Sequence, residues 1–136
     1  MNQTTIKFRF ISFLPGIALF VLIYVLLTLP GNDFPKNPFL ELIHFDKWVH
    51  IGLFAGLVFL FCYPLMVKYH YKKSVYFIIV ILAIVYGVGM EYVQKYFTVD
   101  RSFDITDMLA DAAGSIIGYF FFRFVAIRIR EKNKPL

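Results

Sequence analysis

The sequence predicts an all-α membrane protein, a single domain built as a compact bundle of four transmembrane helices. Three observations carry this expectation. The 136 residues are 60% hydrophobic and only 17% charged, with a mean hydropathy of +0.69. Soluble domains run nearer half apolar and about a quarter charged. The apolar residues gather in four runs, each close to the roughly 20 residues that a helix needs to cross a hydrocarbon core. The charges fall mostly between these runs or at their ends, which leaves short loops and tails and no room for a separate soluble domain. There is no internal repeat, low-complexity tract or long linker.

The first span covers residues 10–29. Lys7 and Arg9 precede it as they would a signal peptide. The run is longer than a signal-peptide core, however, and "TLPGND" lacks a small-x-small cleavage pattern, so an uncleaved helix is expected. Pro15-Gly16 predicts a kink in it. "GNDFPKNPFLELIHF" is the longest connection. Two prolines and a glycine break its first half, and the mixture of apolar residues with Glu41 and His44 suits either an interfacial segment over the mouth of the bundle or a plain loop. The second span covers 47–66, with Pro64 marking its end. "VKYHYKK" follows as a basic loop in which His70 meets lipid headgroups. Tyr63, Tyr69, Tyr71 and Tyr76 form an expected interfacial aromatic belt. The third and fourth spans cover 74–96 and 105–125.

The formal net charge of +5 and pI near 9.4 imply no nucleic acid, because the basic residues flank apolar runs. Their distribution instead sets orientation. With the N-terminus inside, the inner segments hold Lys7, Arg9, Lys68, Lys72, Lys73, Arg123, Arg128, Arg130, Lys132 and Lys134, against Lys36, Lys47, Lys95 and Arg101 outside. Both termini are therefore expected in the cytoplasm, with the protein in the cytoplasmic membrane and its basic tails near anionic lipid. Of the acids, only Glu131 falls inside. The lone Cys62 excludes an intrachain disulfide and a Cys-rich metal site.

The acids locate the unusual chemistry. Residues three, four and seven apart share a helix face. In the fourth span one face holds Asp104, Asp107, Asp111, Gly114, Ser115 and Gly118, while Leu109, Ile116 and Phe120 point the other way toward lipid. In the third, Gly87, Glu91, Gln94 and Thr98 share a face. Asp46 and His50 lie four apart at the start of the second. All fall in the outer third of their helices, so one shared polar layer is expected. Gly52/Gly56 and Gly114/Gly118 are small-xxx-small pairs that let helix backbones approach. A charge at the bilayer centre costs about 2.5–3.5 kcal/mol. Asp104 and Asp107 avoid most of this at the helix start, where they complement its positive end and where Asp104 or Ser102 can cap it. Asp111 and Glu91 lie deeper and carry the functional signal.

"DKWVHIGLFAGL" at 46–57 and "YGVGMEYVQKYFTVDRSFDITDMLADAAGSIIG" at 86–118 resemble the VanZ-like membrane protein family. Its pattern has D-K-x-x-H opening one helix, E-x-x-Q near the end of the next, and then R-x-x-D-x-x-D-x-x-x-[ND]-x-x-G. The matching residues are Asp46, Lys47 and His50; Glu91 and Gln94; and Arg101, Asp104, Asp107, Asp111 and Gly114. Asp at 111, where the family often has Asn, adds a charge. The resemblance implies the membrane fold and a link to resistance against teicoplanin, a glycopeptide that binds cell-wall precursors outside the membrane.

Three functions fit these residues. The first is a binder of an envelope lipid or lipid-linked cell-wall precursor, with Arg101, Lys47, Lys95 and His50 as phosphate contacts. Its difficulty is the excess of acids. The second is an intramembrane enzyme, with Glu91, Asp111 and His50 as candidate catalytic residues. Clustered His50, Glu91, Asp104, Asp107 and Asp111 could hold Mg²⁺ or Mn²⁺, although no H-E-x-x-H, nucleophile elbow or P-loop is present. The third is a structural network in which Lys47 or Arg101 locks the helices together. Membrane lipids are partners in every case, and a bundle this small is a candidate for homodimerisation.

Overall fold

The computed structural model describes residues 10–30, 37–69, 72–99 and 101–132, apart from the side chains of 68 and 69. Its elements are helices, with no strand among the described residues. A 3₁₀ turn, Phe10–Phe13, leads into α1, Leu14–Thr28. A short α2, Pro38–Leu42, precedes α3, Phe45–Pro64. A π-helical turn, Leu65–Tyr69, then leads toward α4, Lys73–Phe97, and α5, Ile105–Lys132. Four helical segments are long and apolar enough to cross a membrane, and they pack together.

These segments are helical because backbone polar groups in hydrocarbon must be satisfied within their own segment. Their apolar side chains serve two surfaces. Ile23, Phe54, Val58 and Cys62 are fully buried among the helices, whereas Leu109, Ile116 and Phe120 stay exposed on the outer face, as expected for lipid contact. Pro15 stands in the first turn of α1, where a missing N–H leaves no helix bond unmade, so the expected kink is instead a change from 3₁₀ to α geometry at Leu14. Gly16 is buried there against the Phe61 ring.

The principal packing contact is between α3 and α5. It depends on Gly114 and Gly118. A Cβ added to Gly114 would stand 2.9 Å from Ile51 Cα, and one on Gly118 would stand 2.7 Å from Ala55 Cα. Those are backbone atoms, so only glycine permits this approach. The other glycine pair behaves differently. Gly52 has open space where a side chain would stand, and Gly56 meets Leu19 of α1. The seam is thus one-sided: glycines of α5 lie against the backbone of α3.

α5 continues to Lys132, beyond the expected end at Val125. Arg128, Arg130 and Lys132 are long, amphipathic and well placed for the negative C-terminal end of the helix. Tyr76 departs from the expected aromatic belt. It is buried, with its ring 5.0 Å from that of Phe122. Tyr69, His70 and Tyr71 lie outside the described side chains, as does the first half of the long connection. The second half of that connection is α2, whose Asn37 side chain accepts from Phe39 N–H at 2.9 Å and whose Phe39 and Leu42 are exposed. His44, between α2 and α3, adopts left-handed backbone geometry, φ 50°.

Candidate functional site

The start of α3, the end of α4 and the start of α5 meet at one end of the bundle. There Asp46, Lys47 and His50 of α3 face Glu91 of α4 and Asp104, Asp107 and Asp111 at the head of α5. The layer has an ionic rim and a buried interior.

Lys47 is the centre of the rim. Its Nζ donates to Asp104 Oδ2 and Asp107 Oδ1, each at 2.6 Å, and lies 2.9 Å from Asp46 Oδ2. Asp104 divides its carboxylate between two tasks. Oδ2 holds Lys47, while Oδ1 accepts from the Thr106 N–H at 2.8 Å and the Thr106 hydroxyl at 2.6 Å. The second task caps α5 by satisfying an N–H that has no partner within the helix. Ser102, the alternative cap, stands outside this arrangement. The Lys47 ammonium, with help from the Thr106 hydroxyl, holds the Asp104 carboxyl down at about 2.

Behind the rim, His50 Nδ1 lies 2.8 Å from Asp111 Oδ1. With the carboxylate ionised, Nδ1 is the donor, which leaves Nε2 4.0 Å from Asp107 Oδ1. Glu91 is 0% exposed and Asp111 1% exposed. Glu91 Oε2 accepts from the Asp104 backbone N–H at 2.9 Å, which ties α4 to the head of α5. Asp111 occupies a notch provided by Gly87: a Cβ at 87 would stand 2.6 Å from Asp111 Oδ2. The other oxygens of these two acids are isolated. Among the described residues, Glu91 Oε1 and Asp111 Oδ2 are buried without a hydrogen-bond partner. Buried polar atoms are nearly always paired, so two unpaired acceptors in one layer require an explanation.

Gln94 serves another purpose than its spacing from Glu91 suggests. Its Nε2 donates to the Leu27 carbonyl at 2.9 Å, one of the last carbonyls of α1, which has no acceptor role within its own helix. Arg101 is half-buried in the α4–α5 connection. Sequence reasoning placed Gly87 on the polar face of its helix but not its part as the notch for Asp111, which could be found only by pairing two helix faces. It also missed Tyr86, which donates to the Phe20 carbonyl at 2.9 Å and stacks on the Phe20 ring, fastening α1 to α4.

A divalent cation meets a competitor here. Among the described residues, no three His, Cys, Asp or Glu side chains are arranged to hold a metal ion. The position between Asp46, Asp104 and Asp107 is taken by the Lys47 ammonium.

The chain compares with known proteins at the level of a family. The family model described as VanZ/LLP1 matches residues 13–126. No curated protein and no solved structure matches the chain. The matched region takes in α1, α3, α4, most of α5 and every residue of the polar layer, and this multi-pass membrane protein belongs to the VanZ/LLP1 family.

Proposed function

We propose that the polar layer lies beneath the outer face of the cytoplasmic membrane and binds the headgroup of an envelope lipid or lipid-linked cell-wall intermediate. The observation that carries this reading is the pair of unpaired, buried carboxylate oxygens, Glu91 Oε1 and Asp111 Oδ2. They call for hydrogen-bond donors. Five carboxyl groups surround one ammonium and one imidazole, so the layer suits the hydroxyl, amide or ammonium groups of a sugar- or peptide-bearing headgroup. A bare phosphate suits it less, because Lys47 is already held by three carboxylates. Asp46, Lys47 and Asp104 retain exposure at the rim and form the approach. Binding of a precursor that glycopeptides also bind accounts for the family's association with teicoplanin resistance. The Lys and Arg distribution supports the orientation, with both termini in the cytoplasm.

The test uses the full chain in nanodiscs with a lipid-linked cell-wall precursor. The wild type retains the lipid. Glu91→Gln exchanges an acceptor for a donor with little change of shape and Asp111→Ala removes the acceptor, so each should lower retention by about tenfold, the equivalent of about 1.4 kcal/mol. Equal retention by both variants would reduce the layer to a scaffold. One observation favours a catalytic alternative. His50 is oriented by a buried carboxylate, as a general base is. Release of a cleaved headgroup by the wild type, lost in Asp111→Ala, would select that alternative over simple binding.

A further inference from the structure

The opposite end of the bundle carries a hollow of about 80 Å³ between the start of α4 and the second half of α5. A single water needs about 10–15 Å³ by this kind of measure, so the hollow has room for a phosphate group. Three cations line it: Lys73 on α4, and Arg123 and Arg130 on α5. Arg123 and Arg130 are seven residues apart and therefore share a face, about two turns from one another. Between them stands Ala126, small and buried, and its short side chain leaves the space open. Tyr76 and Tyr119 complete the polar lining.

No carboxylate lines this hollow. Among the described residues, none of the three cations makes an ion pair, whereas Lys47 at the other end is held by three acids. The cluster therefore has positive charge to offer. The hollow also borders the lipid-facing surface: Ile127 lines it and is 49% exposed, and Phe124 nearby is exposed as well. A ligand with a phosphate for the arginine forks and acyl chains for this apolar flank satisfies both features. Basic pockets between transmembrane helices are suited to such headgroups.

We propose that Lys73, Arg123 and Arg130 form a second binding site, which takes the phosphate headgroup of an anionic phospholipid from the leaflet at this end of the bundle. The site is independent of the polar layer and of its reading as a precursor site.

The experiment places the full chain in nanodiscs of phosphatidylcholine with and without phosphatidylglycerol and measures lipid retained after extraction into neutral detergent. The wild type should retain phosphatidylglycerol over phosphatidylcholine. The triple variant Lys73→Gln/Arg123→Gln/Arg130→Gln should lose about tenfold or more in this preference. Lys72→Gln/Arg128→Gln/Lys132→Gln removes equal charge from the same end outside the hollow and should change it by less than about twofold. The altered side chains are exposed, so folding should persist, as thermal unfolding in phosphatidylcholine will report. If the first triple variant fails to fold, Arg123→Lys/Arg130→Lys keeps the charge and removes the forks, and should still lower retention severalfold. Equal loss in the two triple variants, no lipid preference in the wild type, or unchanged retention in the lysine variant would each overturn the proposal. Displacement of the lipid by millimolar inorganic phosphate would do the same, by assigning the hollow to a soluble anion.

Discussion

The replacement of Gly118 by alanine tests the packing argument most directly. The added Cβ would stand 2.7 Å from Ala55 Cα, and ordinary contact begins at 3.4 Å. The Ala55 carbonyl oxygen is nearer still, so α5 must withdraw from α3 by at least about 0.7 Å, since a backbone atom cannot swing aside. A gap of about 0.5–1 Å forfeits a quarter to a half of the dispersion well for the atoms along the seam, and overpacking of this kind costs about 1–3 kcal/mol. Asp111 rides on the same helix two turns away. A parallel displacement stretches its 2.8 Å contact with His50 to the limit of a hydrogen bond, a further loss of about 0.6 kcal/mol by the average for membrane helices. The expected destabilisation is thus about 2–4 kcal/mol, read as the unfolding free energy from denaturing-detergent titration in mixed micelles. Gly52→Ala is the control. Nothing lies within 4 Å of its new Cβ, and alanine's better helix propensity favours it by about 0.5–1 kcal/mol. A wild-type stability for Gly118→Ala, or equal damage from Gly52→Ala, would refute the one-sided seam.

Other expectations follow from the polar layer and the topology. Lys47→Gln strands the three carboxylates around Nζ; since Lys47 is 21% exposed, the loss should fall below the about 3–5 kcal/mol of a fully buried pair, near 1–3 kcal/mol in the same titration. Acid sensitivity should change with it. Asp104 titrates at about 2 in the fold against 3.8 without its partners. A depressed value of this kind adds stability that is whole above pH 3.8 and lost as pH falls through about 2. Removal of Lys47 lets the Asp104 carboxyl return toward 3.8, so the fall in stability between pH 3.8 and about 2 should flatten in a stability-versus-pH profile, and an equally steep fall in the variant would count against the pairing. Gln94→Ala leaves the Leu27 carbonyl unpaired and should cost about 0.6–1.7 kcal/mol, with faster amide exchange confined to the end of α1 and the end of α4. A reporter fused to either terminus should register as cytoplasmic; an external signal from the C-terminus would invert the orientation.

The spans were legible because run length and charge placement are one-dimensional properties. Each helix begins and ends within a few residues of its expected bounds, apart from the far end of α5, where Arg128 and Arg130 lie within a helix that hydropathy alone closes at Val125. The polar face of α5 was legible too, since Asp104, Asp107 and Asp111 follow the helical period and the cap at Asp104 is a local matter. Partners across helices were not. Gly52/Gly56 and Gly114/Gly118 have the same spacing, and only the rotation of each helix against its neighbours makes the second pair a seam and leaves Gly52 open. Gln94 shares a face with Glu91, yet its reach to Leu27 depends on where α1 ends. Gly87 and Asp111 are complementary in shape, which no spacing within either segment reveals. Tyr76 looked like its interfacial neighbours until Phe122 covered it.

The ion cluster around Lys47 has a consequence for biogenesis. The ribosome makes this lysine well before it makes Asp104, Asp107 and Asp111, and the helix that bears most of these acids is the least apolar of the four. When that last segment leaves the translocon, a countercharge is already seated at the membrane surface to receive it. α3 should thereby ease the entry of the last helix, and a nascent chain lacking Lys47 is expected to release its final helix into the aqueous phase more often than the intact chain does.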